Sequence, residues 1–111
     1  MKRIEYYRKE NGRCPYTEWL NSLSYENQRR IIKRVKHIYE GNFGDWGHIQ
    51  NSKLCEMRFF FGSGYRIYYK EIDETIVLFL AGSDKSDQNR VIEQANKYYD
   101  DYIKRNNKNG K

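Results

Sequence analysis

Residues 54–88 constrain the fold more than any other stretch, because they predict three consecutive β-strands. In the first two, apolar and polar side chains alternate with the period of two that is typical of a strand with one buried face. A glycine-rich turn, Gly62-Ser63-Gly64, separates these two strands. The third strand, residues 76–81, is apolar on both faces, which predicts a central strand covered on both sides.

The alternation also predicts how the first two strands pair. On the apolar face, the predicted partners are Phe61 with Tyr65, Phe59 with Ile67, and Met57 with Tyr69. On the opposite face, they are Phe60 with Arg66, Arg58 with Tyr68, and Glu56 with Lys70. In this register Arg58 and Arg66 are diagonal neighbours, close enough to bind one phosphate together.

The flanking segments predict one further strand and three helices. Residues 3–8 predict an edge strand, Pro15 begins a helix that ends near Leu23, and Ser24 caps a second helix that ends at Gly41. Residues 43–52 predict an irregular loop. The last helix carries an apolar stripe at helical spacing, formed by Val91, Ile92, Ala95, Tyr98, Tyr99, Tyr102 and Ile103.

Strands that follow one another beside segregated helices indicate an α+β fold with a mostly antiparallel sheet. We expect a single domain over residues 1–103, followed by a basic disordered tail over residues 104–111. The chain has 21 basic and 15 acidic residues; four of the basic residues lie in the tail, so the remaining 17 leave a net charge of +2. The basic outer face of the second helix is more typical of a solvated surface than of a binding site.

Cysteine content and hydropathy indicate the compartment. Cys14 and Cys55 fit no metal-ligand spacing, so we expect free thiols and neither a metal nor another cofactor. The sequence has no signal-peptide pattern and no apolar run of 18 residues. We therefore expect a cytoplasmic protein without membrane contact.

Ordered motifs along the chain carry a resemblance to a known family. They are GNFGD at residues 41–45, CEMR at 55–58, GSGYRIYY at 62–69 and IVLFLAGSDKSDQ at 76–88, after an early Tyr16, Trp19, Leu20 and Leu23. Over residues 3–103 the sequence resembles the RelE/ParE superfamily of toxins from bacterial type II toxin–antitoxin systems, in particular the HigB-like addiction module killer proteins. This resemblance implies a small sheet packed on an N-terminal helical hairpin.

The resemblance also implies a function. Most RelE-like and HigB-like members are mRNA interferases, endoribonucleases that cut mRNA in the decoding site of the ribosome and so inhibit translation. A cognate antitoxin, commonly a helix-turn-helix protein, neutralises them, so DNA is contacted only through the antitoxin complex. ParE-like members instead inhibit DNA gyrase by binding it, and a third alternative is a decayed toxin that only binds its antitoxin. We expect an acidic antitoxin segment to cover exposed apolar helix residues or the cationic sheet face.

Metal-independent RNA cleavage uses the 2′-hydroxyl as nucleophile and needs a base, an acid and cations around the phosphate. By its place in the family's G-Y-R motif, Arg66 is expected to hold the scissile phosphate. Arg58 is expected to be a second clamp, and Lys85 a proton donor or phosphate ligand. The structural alternatives are an ion pair with Glu56 for Arg58, a solvated strand position for Arg66, and an ordinary polar turn for Lys85.

Four further residues are expected to bind the substrate: Tyr68, Lys70, Asp84 and Gln88. Tyr68 stacks on a base or donates a proton, with packing as the alternative. Asp84 orients the neighbouring lysine or accepts a proton. Gln88 contacts the substrate or caps the helix.

The chain departs from the family pattern where a general base is needed. Relatives carry a Lys-x-Lys pair on the second strand, whereas this chain has Glu56-Met57-Arg58, and arginine is a poor base at neutral pH. The tyrosine that relatives carry at the start of the last helix has no equivalent near Asn89-Arg90. His48 is a candidate only if its loop moves toward the site. The base therefore remains unassigned from the sequence.

Overall fold

Five β-strands form one mixed sheet, and different helices cover its two faces. The computed structural model describes the backbone of residues 1–110 and the side chains of residues 1–107. The strands are β1 (Arg3–Tyr6), β2 (Trp46–His48), β3 (Cys55–Arg58), β4 (Arg66–Glu71) and β5 (Ile76–Ser83). The helices are α1 (Pro15–Asn21), α2 (Tyr25–Val35) and α3 (Gln88–Gly110), with 3₁₀ turns at Lys36–Glu40 and Lys85–Asp87. The predicted α+β class is confirmed.

The strand order is β1-β5-β4-β3-β2. At one edge β1 runs parallel to β5, and every other neighbouring pair is antiparallel. The predicted N-terminal edge strand and the mostly antiparallel sheet are therefore both confirmed. The prediction of a central strand at residues 76–81 is also confirmed, because β5 lies between β1 and β4 and is buried on both faces.

Local sequence explains where the first helices begin and end. Pro15 occupies the first turn of α1, where a missing backbone N–H costs nothing. The Ser24 hydroxyl accepts a hydrogen bond from the Asn27 backbone N–H at 3.2 Å and caps α2, as predicted. Gly41 has a φ of 86° and ends the 3₁₀ turn that follows α2. That left-handed conformation suits glycine.

Two hydrophobic clusters lie on opposite faces of the sheet. The α1–α2 side buries Ile4, Cys14, Tyr16, Ile31, Val35, Ile38, Phe43, Met57, Phe59, Tyr65, Ile67, Tyr69, Val77 and Phe79. The α3 side buries Tyr7, Leu54, Tyr68, Leu78, Leu80, Ala81, Val91 and Ala95. Burying one large apolar side chain contributes roughly 1.5–3 kcal/mol, so both layers hold the sheet.

The predicted register of the β3–β4 hairpin is wrong by two residues. Met57 lies opposite Ile67, and Arg58 lies directly opposite Arg66 instead of diagonally to it. The cause is a longer turn, because residues 60–64 leave the ladder and take a conformation with positive φ at Gly62 and Gly64. A shift of two residues keeps every side chain on its predicted face, so the apolar and polar faces are correct.

Residues 43–52, predicted to be an irregular loop, contain the edge strand β2. Its three residues pair with β3, with Trp46 opposite Met57 and His48 opposite Cys55. The strand is short and has Gly47 at its centre, a residue that weakens strand patterns in a sequence. Pairing with β3, and not local propensity, forms this strand.

The C-terminal helix is longer than the sequence predicts. Residues 104–110, predicted to belong to a disordered tail, continue α3, and Lys111 lies outside the described residues. Arg105 donates to the Asp101 carboxylate at 2.6 Å and to the Arg8 carbonyl, which attaches this part of α3 to the segment after β1. Over the part of the chain described here, every helix is too short or too polar to cross a lipid bilayer.

Candidate active site

Arg58 and Arg66 face each other on β3 and β4, and Ser83 of β5 lies opposite Arg66. Side chains two residues apart on a strand share a face, so Glu56 and Tyr68 belong to the same face as the two arginines. Like charges directly opposite each other on a sheet destabilise the pair unless other groups compensate. Negative charge is therefore required at this point of the sheet.

Two carboxylates compensate the arginines. Glu56 Oε2 accepts a hydrogen bond from Arg58 Nη1 at 3.0 Å, and Glu56 Oε1 lies 3.8 Å from Arg66 Nε. Asp45 Oδ1 lies 3.2 Å from Arg58 Nη2, which also donates to the Trp46 carbonyl at 3.0 Å. The hydrogen bonds to Asp45 and Glu56 raise the pKa of Arg58. The ion pair with Glu56, the structural alternative for Arg58, is thus present.

Arg66 is deeply buried, with 9% of its surface exposed, so the alternative of a solvated strand residue is wrong. Its Nη1 donates to the Tyr65 carbonyl at 3.4 Å. Its Nε is buried and has no hydrogen-bond partner among the described residues, since Glu56 at 3.8 Å is too distant for one. An unpaired buried donor on a charged group costs roughly 1–3 kcal/mol or more, and such a group calls for an additional acceptor.

Tyr68 is part of the core and not of an exposed binding surface. Its ring is fully buried on the α3 side of the sheet. Its hydroxyl lies 2.7 Å from Ser83 Oγ, and Ser83 Oγ donates in turn to the Asp84 carbonyl at 3.0 Å. Burial raises the pKa of Tyr68 to about 12. A ring in this position cannot stack on a base, so the packing alternative is correct.

Asp84 organises the turn that presents Lys85. Its carboxylate accepts hydrogen bonds from the Ser86 backbone N–H at 3.1 Å and from the Ser63 hydroxyl at 3.3 Å. The Lys85 backbone N–H donates to the Ser63 carbonyl at 3.3 Å, which joins this turn to the β3–β4 turn. Lys85 is exposed, and no carboxylate of the described residues forms an ion pair with it. The backbone of Lys85 therefore lies beside the turn that connects Arg58 and Arg66.

Lys70 and His48 lie apart from the arginine pair, and Gln88 is the first residue of α3. Lys70 is four residues beyond Arg66 on β4, about 13 Å along the strand, and its Nζ lies 6.0 Å from the centre of the Tyr99 ring. Gln88 is partly buried and begins α3. His48 pairs with Cys55, whose side chain belongs to the α1–α2 face, so His48 lies on the wrong side of the sheet to act as base.

Sequence reasoning missed three residues that shape the site. Asp45 and Ser83 occur in the sequence only as members of the GNFGD and IVLFLAGSDKSDQ motifs, with no role of their own. Gly47 lies beneath the Arg58 guanidinium, where an added Cβ would be 2.8 Å from Nη1. A small polar residue at the end of an apolar strand was the available signal for Ser83. The sequence contains no comparable signal for Gly47, because it does not predict β2.

The site can bind an anion and move a proton. Two arginines and two carboxylates, Glu56 and Asp45, meet on this face of the sheet, and the buried Arg66 Nε–H has no acceptor among the described residues. The described residues contain no group of three or more His, Cys, Asp or Glu side chains that could hold a metal ion. An open groove of about 670 Å³ lies elsewhere, on the outer face of α2, and is lined by Tyr25, Glu26, Arg29, Arg30, Ile32, Lys33 and Lys36.

No family model matches the sequence. An uncharacterized protein of Haemophilus influenzae is 37% identical to this chain over 81 residues, which make up 72% of this chain and 81% of the relative. The aligned length covers most of both proteins. The chain therefore belongs to the same family as this uncharacterized Haemophilus influenzae protein.

Proposed function

We propose that this protein is the toxin of a bacterial type II toxin–antitoxin module and acts in the cytoplasm as a metal-independent mRNA endoribonuclease on the ribosome. The resemblance of the ordered motifs to HigB-like toxins supports the class of protein. The observation that carries the proposed chemistry is the buried Arg66, whose Nε–H has no acceptor among the described residues and which lies opposite a second arginine.

A phosphate group fits this arrangement of donors. A guanidinium group binds phosphate through two parallel hydrogen bonds, and two such groups facing each other can hold a single phosphate from both sides. Lys85 adds a free charge at the neighbouring turn. A bound phosphate would also reduce the repulsion between Arg58 and Arg66, since its charge adds to that of Glu56. RNA supplies such a phosphate next to a 2′-hydroxyl nucleophile.

The reaction assigns a role to each side chain. A base removes the proton of the 2′-hydroxyl, the 2′-oxygen attacks phosphorus, and the bond to the 5′-oxygen breaks as that oxygen gains a proton. The products are a 2′,3′-cyclic phosphate and a 5′-hydroxyl end. Glu56 is the carboxylate in contact with both arginines and fits the role of base. Arg66 and Arg58 stabilise the charge on phosphorus, and Lys85 fits the role of acid.

The test is to express the chain without an antitoxin in bacterial cells and to map RNA 5′ ends. We expect growth arrest and new ends inside translated codons. Arg66→Ala should abolish both, whereas Arg13→Ala, which breaks an exposed ion pair with Glu18, should not. Purified ribosomes programmed with mRNA should give the same cuts. Arrest without new ends would contradict the nuclease and favour gyrase inhibition.

A second candidate function is antitoxin binding without cleavage. Glu56 and Asp45 already form ion pairs with Arg58. An arginine whose charge is compensated in this way can stabilise the sheet without binding a substrate. Growth that continues during expression would favour this candidate. In either case we propose that the antitoxin covers the cationic site with an acidic segment, so that the complex weakens as salt concentration rises.

A further inference from the structure

Arg34 is a half-buried cation on α2 whose guanidinium group contacts backbone carbonyls. It donates to the carbonyls of Phe43 at 3.0 Å and Asp45 at 2.7 Å, and also to that of Arg58. Its guanidinium carbon lies 4.3 Å from the centre of the Phe59 ring. None of the ion pairs among the described side chains includes Arg34.

These carbonyls belong to the two segments that hold Arg58. One segment is residues 43–45, before β2, and the other is the end of β3. The Asp45 carbonyl accepts the Arg58 backbone N–H at 2.9 Å, and the Asp45 carboxylate contacts the Arg58 guanidinium at 3.2 Å. Arg34 thus fixes both partners of the Asp45–Arg58 contact from the α2 side of the sheet.

Gly44 is the residue that permits this approach. Its φ is 67°, and an added Cβ would lie 2.8 Å from Arg34 Nε and 2.9 Å from Nη2. A larger residue would have to displace the guanidinium group and would also be strained at this φ. The loop before β2 is therefore shaped around the Arg34 side chain.

At the position of Arg34, burial disfavours a charge and the backbone carbonyls favour one. Burial lowers the pKa of Arg34, Asp45 and Tyr69 oppose this change, and Arg58 adds to it. The neighbouring helix residues that face the sheet, Ile31 and Val35, pack with apolar side chains. The three carbonyls need a donor with several N–H groups in a fixed plane, which lysine cannot supply.

We infer that Arg34 is a positioning residue for RNA cleavage, because it orients the Arg58 guanidinium through the Asp45 segment and the end of β3. This inference rests on the proposed function. Arg34 does not itself contact the phosphate, since its guanidinium lies over Phe59 on the α1–α2 face, whereas the Arg58 side chain lies on the opposite face.

Cleavage kinetics on ribosomes programmed with mRNA test the inference. Arg34→Met keeps the stem and removes the donors, and it should lower kcat by about tenfold to a hundredfold with little change in KM. The matched control is Arg30→Met: Arg30 lies one helical turn earlier, 4.0 Å from the centre of the Phe61 ring, and its loss should leave kcat unchanged. In an Arg58→Ala background, Arg34→Met should cause no further loss. A further loss of the same size there would overturn the inference.

A second measurement does not depend on RNA cleavage. In the wild-type protein, the Arg58 side-chain N–H signals should be resolved by NMR and exchange slowly with water, and in Arg34→Met they should broaden or disappear. If the wild-type protein cuts no RNA, the proposed function fails while this measurement still decides the position of Arg58. Arg58 signals that stay unchanged in a folded Arg34→Met protein would overturn the inference. Should that variant not fold, Gly44→Ala is expected to have the same effect on Arg58.

Discussion

Replacing Glu56 with glutamine removes the carboxylate that contacts both arginines of the site. Its oxygens lie 3.0 Å from Arg58 Nη1 and 3.8 Å from Arg66 Nε, and 18% of its side chain is exposed. Breaking a fully buried ion pair costs about 3–5 kcal/mol, whereas an exposed pair is worth about 0.2–1 kcal/mol. Glutamine keeps an acceptor for one arginine, and Asp45 still contacts Arg58. We therefore expect a loss of about 2 kcal/mol in the free energy of unfolding.

Thermal unfolding measures this loss directly. For a domain of this size, about 2 kcal/mol corresponds to a fall in Tm of roughly 10 °C. Sulfate or inorganic phosphate should restore most of the loss, because the anion replaces the missing carboxylate. An anion present at about 100 times its dissociation constant contributes about 2.7 kcal/mol, which is comparable to the loss. Sodium chloride at the same ionic strength serves as the reference.

The matched control is Glu18→Gln, which affects an exposed carboxylate whose ion pair, over the described residues, is with Arg13. It should change Tm little and should gain no special stabilisation from sulfate. If Glu56→Gln unfolds at the wild-type temperature, the two arginines do not need the carboxylate. If sulfate stabilises both glutamine variants equally, the arginine pair is not an anion site, and the reasoning from Arg66 fails.

Further predictions concern the same site and the contact between α3 and the segment that follows β1. Gly47→Ala should reduce RNA cleavage at least about tenfold with little effect on Tm, because its Cβ would lie 2.8 Å from Arg58 Nη1. Tyr68→Phe should destabilise the fold by about 1 kcal/mol in denaturant unfolding, since a buried hydrogen bond is lost. A hydrogen bond from Tyr7 lowers the pKa of Asp101, so this contact stabilises the fold above the ordinary carboxylate pKa and is lost as the pH falls through the lowered value. Tyr7→Phe should therefore flatten the acid side of the stability–pH curve.

Much of the fold follows from the sequence because its strongest patterns are local. Period-two alternation assigned the side chains of β3 and β4 to the correct faces, and the cap at Ser24 located the start of α2. The register did not follow, because a shift of two residues leaves every apolar residue on the same face. Turn conformation decides that register, here through positive φ at Gly62 and Gly64.

The site was predictable only in part, for the same physical reason. Arg58 and Arg66 were correctly placed on one face, since two-residue spacing needs no knowledge of the turn. Their partners come from other parts of the chain: Asp45 from a loop, and Arg34 from α2. Such contacts depend on the packing of a helix against a sheet, which no local pattern encodes. For Tyr68 the sequence leaves stacking and packing both open, because it does not reveal that α3 covers this part of the face.

The geometry of Glu56 suggests how one carboxylate can serve both stability and the proposed reaction. In the free protein it compensates two arginines that would otherwise repel each other. A substrate phosphate brings negative charge to the same guanidinium groups, and within the described part of the chain the Arg66 Nε–H lacks an acceptor. If the guanidinium N–H groups of Arg58 and Arg66 turn toward the phosphate, the Glu56 oxygens accept fewer hydrogen bonds. These oxygens can then accept the proton of the 2′-hydroxyl. In the proposed reaction, binding of the substrate would then create the base, at a position where RelE-like toxins carry lysine.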